Sequence, residues 1–205
     1  MDKDKKDWLL YENEAYKNGY KCVCGVDEAG RGPLAGPVFA AAVVLPKDFI
    51  IDGVNDSKKL TAKKREQLFE IIKEKSLDYS IASASEIEID KINILNATFL
   101  AMQRAIENLK VKADFALIDG NRLPKLEIKA KSVIKGDSLS ESIAAASILA
   151  KVERDRYMLK MSEVYPEYFF EKHKGYGTKL HIEMLKKYGV APIHRKSFLK
   201  KILGN

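Results

Sequence analysis

Gly25-Val26-Asp27-Glu28-Ala29-Gly30-Arg31-Gly32-Pro33 places two adjacent carboxylates at the end of an apolar, extended stretch and follows them with a guanidinium between two glycines. Adjacent acids repel each other and resist burial without a counter-charge, for which a divalent cation is the usual answer. Glycines on either side of an arginine let main-chain N–H groups come close to a polyanion. Metal and phosphate therefore meet in one short segment, and that combination points to phosphodiester chemistry.

Outward from this segment, Val23 to Asp27 reads as a strand, and the apolar run Val38 to Leu45, closed by Pro46, as a second and buried one. Thr61 is placed to cap a helix carrying Leu68, Ile71 and Ile72 on one side. Leu77 to Ala84, Ala113 to Asp119 and Ile128 to Ile134 are further strand candidates. Leu95, Phe99, Met102 and Ile106 predict a helix over Asn93 to Leu109. From Ser138 a long helix rich in alanine is expected, and so many small residues imply close packing on a sheet or on another helix. The whole chain, 1–205, reads as one α/β domain, a sheet flanked by helices. A helical segment lies before about residue 20 and a helical part follows about residue 163.

The chain carries 36 Lys and Arg against 29 Asp and Glu, a formal charge of +7 that suits a polyanionic partner. No apolar run approaches a membrane span, and the start of the chain does not resemble a signal peptide. Cys22 and Cys24, the only cysteines, fall on one face of a strand without a second pair to complete a zinc site. They read as apolar fillers in a reducing compartment, so the cytoplasm is the expected location.

Four acids share a setting: Asp27 and Glu28 at the end of one apolar strand, Asp119 at the end of another, and Asp137 after Gly136 at the head of the long helix. Ligands of α/β folds collect at strand ends on one sheet edge. Carboxylates without thiols or clustered imidazoles select Mg²⁺ or Mn²⁺ over zinc. Asp-Gly and Gly-Asp are also common turn signals, so Asp119 and Asp137 taken singly fit turns as well.

The segment Gly25 to Val38 resembles the signature of ribonuclease HII, the type 2 ribonuclease H. The resemblance continues through Asp56-Ser57-Lys58-Lys59-Leu60, Ile118-Asp119-Gly120-Asn121, Lys135-Gly136-Asp137, the run Ser142 to Asp155, and His173-Lys174-Gly175-Tyr176-Gly177-Thr178-Lys179 with His181. The blocks stand in the family's order from about Gly25 to Ser197. This resemblance implies the ribonuclease H-like fold, a mixed sheet with flanking helices and a helical C-terminal portion. It implies cleavage of RNA in RNA–DNA hybrids and nicking on the 5′ side of single ribonucleotides in duplex DNA, leaving 3′-hydroxyl and 5′-phosphate. It assigns Asp27, Glu28, Asp119 and Asp137 to two Mg²⁺ or Mn²⁺ ions, and the main chain of Gly30, Arg31 and Gly32 to the ribonucleotide 2′-hydroxyl. Tyr176 is assigned to the sugar of the next deoxynucleotide.

Ser57, Lys58, Lys59 and Lys151 are expected on backbone phosphates, without sequence preference. Asp155 reads as a structural partner of an arginine, and His173 and His181 as hydrogen-bonded structural groups. The chain is expected to act as a monomer. A contact with a replication clamp stays open, because Leu199-Lys200-Lys201-Ile202-Leu203 offers no reliable docking motif. Two other readings compete: a resolvase- or transposase-type nuclease of related fold, and a hybrid- or duplex-binding module without catalysis.

Overall fold

The computed structural model describes residues 7–54 and 60–204. A five-stranded sheet runs in the order β3-β2-β1-β4-β5, with β1 Val23–Ala29, β2 Val38–Val44, β3 Asp78–Ala84, β4 Phe115–Asp119 and β5 Lys129–Val133. β1, β2 and β3 pair antiparallel, whereas β4 and β5 join β1 in parallel, so the sheet is mixed. Every residue of β2 is buried, as expected for an apolar run at the centre of a sheet covered on both faces.

Side chains alternate across β1. Cys24 and Val26 pack with α3 (Glu86–Glu107), and Ala29 packs on the opposite face with α4 (Glu141–Val164) and α2 (Ala62–Lys75). Gly25 lies on the α4 face, where a Cβ would stand 2.1 Å from the main-chain carbon of Ser142. Helix and strand therefore meet backbone to backbone, and the small residues Ala144, Ala145 and Ala146 extend that contact. α2 turns Leu68 and Ile72 inward, but Ile71 is exposed, so the expected apolar side is narrower than its spacing suggested.

Two helix starts differ from the sequence reading. α3 begins at Glu86, under a capping box of Ser85 and Glu88, not at Asn93. Asn93 is a kink at φ 66°, and its side-chain oxygen accepts from the N–H groups of Leu95 and Asn96. The capping signal at Asn93 is real, but a further helical segment precedes it. α4 starts at Glu141, because Ser140 caps it while Gly136–Ser138 form a separate 3-10 turn.

α1 (Leu10–Lys17) braces this start. Glu12, buried at 6% exposure, accepts from the hydroxyls of Ser140 and Ser142 at 2.5 and 2.6 Å and from the Ser142 N–H at 3.0 Å. A carboxylate at that position satisfies free N–H groups and complements the positive end of the helix. Beyond α4 the chain forms α5 (Phe170–His173), α6 (Lys179–Tyr188) and α7 (Lys196–Leu203), the expected helical end. Tyr168, Phe170, Leu185, Ile193 and Leu199 give this end its own apolar cluster against Leu34 and Met158. Among the described residues no helix is long and apolar enough to cross a membrane.

Candidate active site

The register Val26↔Ile118 between parallel β1 and β4 brings Asp27 and Asp119 to adjacent strand ends. Alternation sends Asp27 to the α4 face and Glu28 to the α3 face, yet both line one cleft that wraps the end of β1. This cleft, of about 270 Å³, is also lined by Gly30, Arg31, Gly32, Asp119, Ser147, Lys151, Arg154 and Tyr176. A second hollow on the α3 side shares Glu28, Arg31 and Asp119 as a wall.

Asp27 is 5% exposed. Burial, with Glu28 and then Asp119 as like-charged neighbours, pushes its carboxyl well above the ordinary range, against hydrogen bonds from Ser147 and from the Glu28 N–H at 2.7 Å. Asp119 is oriented by the Gly136 N–H at 2.6 Å. Arg31 Nη1 approaches Glu28 Oε1 at 3.4 Å across a half-exposed edge. Asp137 is placed differently. It is buried at 4% exposure in the 3-10 turn, where Ser138 donates to it at 3.3 Å, and it lines neither hollow. The neighbouring Gly136 ties this turn to the cleft through its bond to Asp119.

This donor set fits a hard divalent cation. Three carboxylates crowd one cleft, and a positive ion relieves both their repulsion and the desolvation of Asp27. Among the described residues no three acids, histidines or cysteines already close into a ligand cage. Mg²⁺ commonly binds one or two carboxylates together with water and substrate phosphate, without a complete protein cage.

The opposite wall of the cleft is built from loops. Gly30 has φ +99°, and a Cβ there would stand 2.1 Å from Arg154 Nε. The Gly32 Cα faces the Tyr176 ring, which a Cβ would reach at 3.7 Å. Both positions thus hold space that any side chain would enter. Tyr176 is 45% exposed, and the Arg154 guanidinium lies 5.6 Å from its ring centroid. Lys151 bonds Asp155 at 2.5 and 2.6 Å, and Arg65 approaches the same carboxylate at 4.0 Å. The close partner of Asp155 is thus a lysine, where the sequence reading expected an arginine, and Arg65 stands farther off. Burial holds the Lys151 amine below its usual range. Ser57, Lys58 and Lys59 lie outside the described residues.

Several residues that organise this wall were missed in the sequence. Arg195, fully buried, donates to the carbonyls of Gly30, Arg31, Pro33 and Gly36 at 2.7, 3.0, 2.8 and 2.8 Å. Burial opposes its charge, and the four carbonyl dipoles offset that cost. Arg154, also fully buried, donates to the Lys174 carbonyl at 2.9 Å and thereby ties the Tyr176 segment to α4. Arg154 fell inside a quoted motif block, but neither arginine has a local pattern that announces a buried role.

Residues 24–201 match the family described as Ribonuclease HII. The chain is 60% identical to Ribonuclease HII of Caldicellulosiruptor bescii over 98% of its own length and 97% of that protein. It is 58% identical to the Clostridioides difficile protein of the same name, over 95% of this chain and 76% of that one. Among solved structures, ribonuclease H2 from Pyrococcus horikoshii superposes with a TM-score of 0.74 at 31% identity, covering 89% of this chain and 97% of that one. The Archaeoglobus fulgidus RNase HII solved with PCNA gives 0.71 at 26% identity, covering 86% and 93%.

Proposed function

The chain belongs to the ribonuclease HII family, and from that membership we propose that it nicks duplex DNA on the 5′ side of a single embedded ribonucleotide, leaving 3′-hydroxyl and 5′-phosphate. It is an endoribonuclease, metal-dependent and acting on RNA in RNA–DNA hybrids. The observation that carries the finer reading is the shared cleft, in which Asp27, Glu28 and Asp119 face Gly30, Gly32 and Tyr176.

Asp27, Glu28 and Asp119 would hold the divalent ions, Mg²⁺ or Mn²⁺, with Asp137 as the fourth acid through the turn bonded to Asp119. Two such ions supply Lewis acidity at the attacking water and at the leaving 3′-oxygen. The chain itself does the positioning. With the carbonyls of Gly30 and Arg31 committed to Arg195, the loop is left with N–H donors to offer a 2′-hydroxyl. That hydroxyl is the one group that marks a ribonucleotide within DNA. The Tyr176 ring, facing Gly32, leaves room for a deoxyribose and crowds an additional hydroxyl at the following sugar. Lys151, aimed by Asp155, suits a backbone phosphate, which carries no base information. Ser57, Lys58 and Lys59 are proposed for the same task.

The substrates are RNA–DNA hybrids and ribonucleotide-bearing duplexes, bound by a monomer of one domain. The free thiols of Cys22 and Cys24 suit the cytoplasm. A sliding clamp is a proposed partner on the likeness to the Archaeoglobus fulgidus complex alone.

The test is a DNA duplex with one ribonucleotide, offered with and without Mg²⁺ or Mn²⁺. A single metal-dependent nick 5′ of the ribonucleotide is expected. No nick with metal, or equal nicking of an all-DNA duplex, overturns the reading.

A further inference from the structure

Three buried histidines lie behind the Tyr176 segment, and their hydrogen bonds determine where each proton sits. His181 Nδ1 is 2.9 Å from the Tyr176 carbonyl. A carbonyl only accepts, so this nitrogen carries the proton. In a neutral ring Nε2 is then an acceptor, and it lies 3.0 Å from His194 Nε2. His194 therefore donates from Nε2, and its Nδ1, which lies 3.2 Å from the Ala191 carbonyl, accepts from the closer Ala191 N–H at 2.9 Å. His173 stacks on His181 with ring centroids 4.5 Å apart. It accepts from the Gly175 N–H at 3.2 Å and donates to the Tyr168 carbonyl at 2.9 Å. The aromatic faces of Tyr168 and Phe170 enclose the group.

A directed relay thus runs from the Ala191 N–H through His194 and His181 and ends on the carbonyl of Tyr176. His173 seats the preceding glycine, and Arg154 holds the carbonyl of Lys174. Three consecutive residues of the loop are anchored from within while the Tyr176 ring stands in the cleft. A tyrosine that discriminates between sugars by contact must be held to within a fraction of an ångström. Its flanking glycines supply no side-chain anchors, so beyond the Arg154 guanidinium against the ring the fixation comes through the main chain, where the Tyr176 carbonyl also accepts from the Thr178 N–H at 2.8 Å.

We propose that His181, oriented by His194, is a positioning residue that sets the Tyr176 ring against the substrate sugar and so sharpens recognition of the RNA–DNA junction. This rests on the reading of Tyr176 given above. The role is mechanical, since neither imidazole reaches the substrate.

The full chain is assayed with Mg²⁺ on two substrates: a DNA duplex with one ribonucleotide, and an all-RNA strand paired with DNA, which has no junction. The readout is the ratio of kcat/KM between them. His181→Leu removes the donor and is expected to lower the ratio about tenfold, the worth of one well-placed hydrogen bond. His181→Asn, whose side-chain N–H₂ can replace Nδ1–H, is expected to keep the ratio near that of the native enzyme. An unchanged ratio in His181→Leu, or equal losses in both variants, overturns the proposal. Tyr176→Ala separates the two layers. If it lowers the ratio while His181→Leu does not, only the relay is refuted; if it leaves the ratio unchanged, the reading of Tyr176 falls and the relay's role with it. Ring ¹⁵N shifts of the native chain test the proposal independently of any variant's folding. Nδ1–H on His181 and Nε2–H on His194 are expected, and the reverse tautomers overturn it.

Discussion

The two walls of the cleft are made by opposite means. The acidic wall stands on the ends of β1 and β4, where the ladder fixes Asp27 beside Asp119. The facing wall is a pair of glycine-rich loops joined only by an isolated bridge, Ala35 with His194, and single main-chain bonds such as Leu34 N–H to the Gly175 carbonyl, and pinned from beneath by Arg195, Arg154 and the histidine relay. One wall gains rigidity from secondary structure, the other from buried donors that satisfy loop carbonyls. Chemistry and recognition should therefore fail separately.

The largest effect expected is that of Asp27→Asn. It keeps the shape of the acidic wall and removes one charge, and cleavage should fall by about 10²–10³-fold or more with duplex binding retained in a gel-shift assay. An active variant would remove Asp27 from the chemistry. Arg195→Leu should strike the other wall. Four carbonyls lose their donor, and the cost in denaturant melts should be roughly 3 kcal/mol or more. The outcome that would break the contrast is a variant as stable as the native chain with the junction preference intact.

Acid should loosen the second wall selectively. Burial pulls His181 and His194 down to about 4, so their contribution is complete above their ordinary value of about 6.5 and is lost as pH falls towards 4. Burial, with Glu12 and Asp52 nearby, pushes Glu141 up to about 7. Its contribution has the opposite sign, being complete below the usual carboxylate range and lost as pH rises through 7. From pH 7.5 to 5, hydrogen exchange corrected for its intrinsic rate should quicken about tenfold near Tyr176 and slow at the start of α4. Equal changes at both places would refute the contrast. The smallest effect belongs to Glu12→Gln, which weakens the cap on α4 and should cost about 1 kcal/mol in melting experiments with the junction preference unchanged.

What the sequence made legible follows the same division. Asp27 and Asp119 each end an apolar run, and strand ends gather at one edge, so their meeting could be expected from local pattern. The strands and the long α4 were readable for the same reason, because burial imposes a period on nearby residues, whereas the mixed pairing of the sheet was expected from the family resemblance alone. Arg195 and Gly30 are 165 residues apart, and their contact leaves no period at all. Nothing in the early helical segment singled out Glu12, yet it is buried against Ser140 and Ser142. The start of α3 was misjudged because Asn93 does cap a helix, only not the first one. Asp137 carried a motif but no geometry, and the fold buries it in the 3-10 turn before α4.

The bare contact between Gly25 and the start of α4 has a consequence for which changes in chain length the protein tolerates. Ser147, Lys151 and Arg154 all line the cleft from α4, beyond the point where Ser142 touches the strand. One residue inserted between that touch-point and Ser147 would rotate everything downstream by about 100°. It would carry those three side chains away from the cleft together. Insertions should be borne by the outer turns and refused by these few helical positions, whatever residue is added.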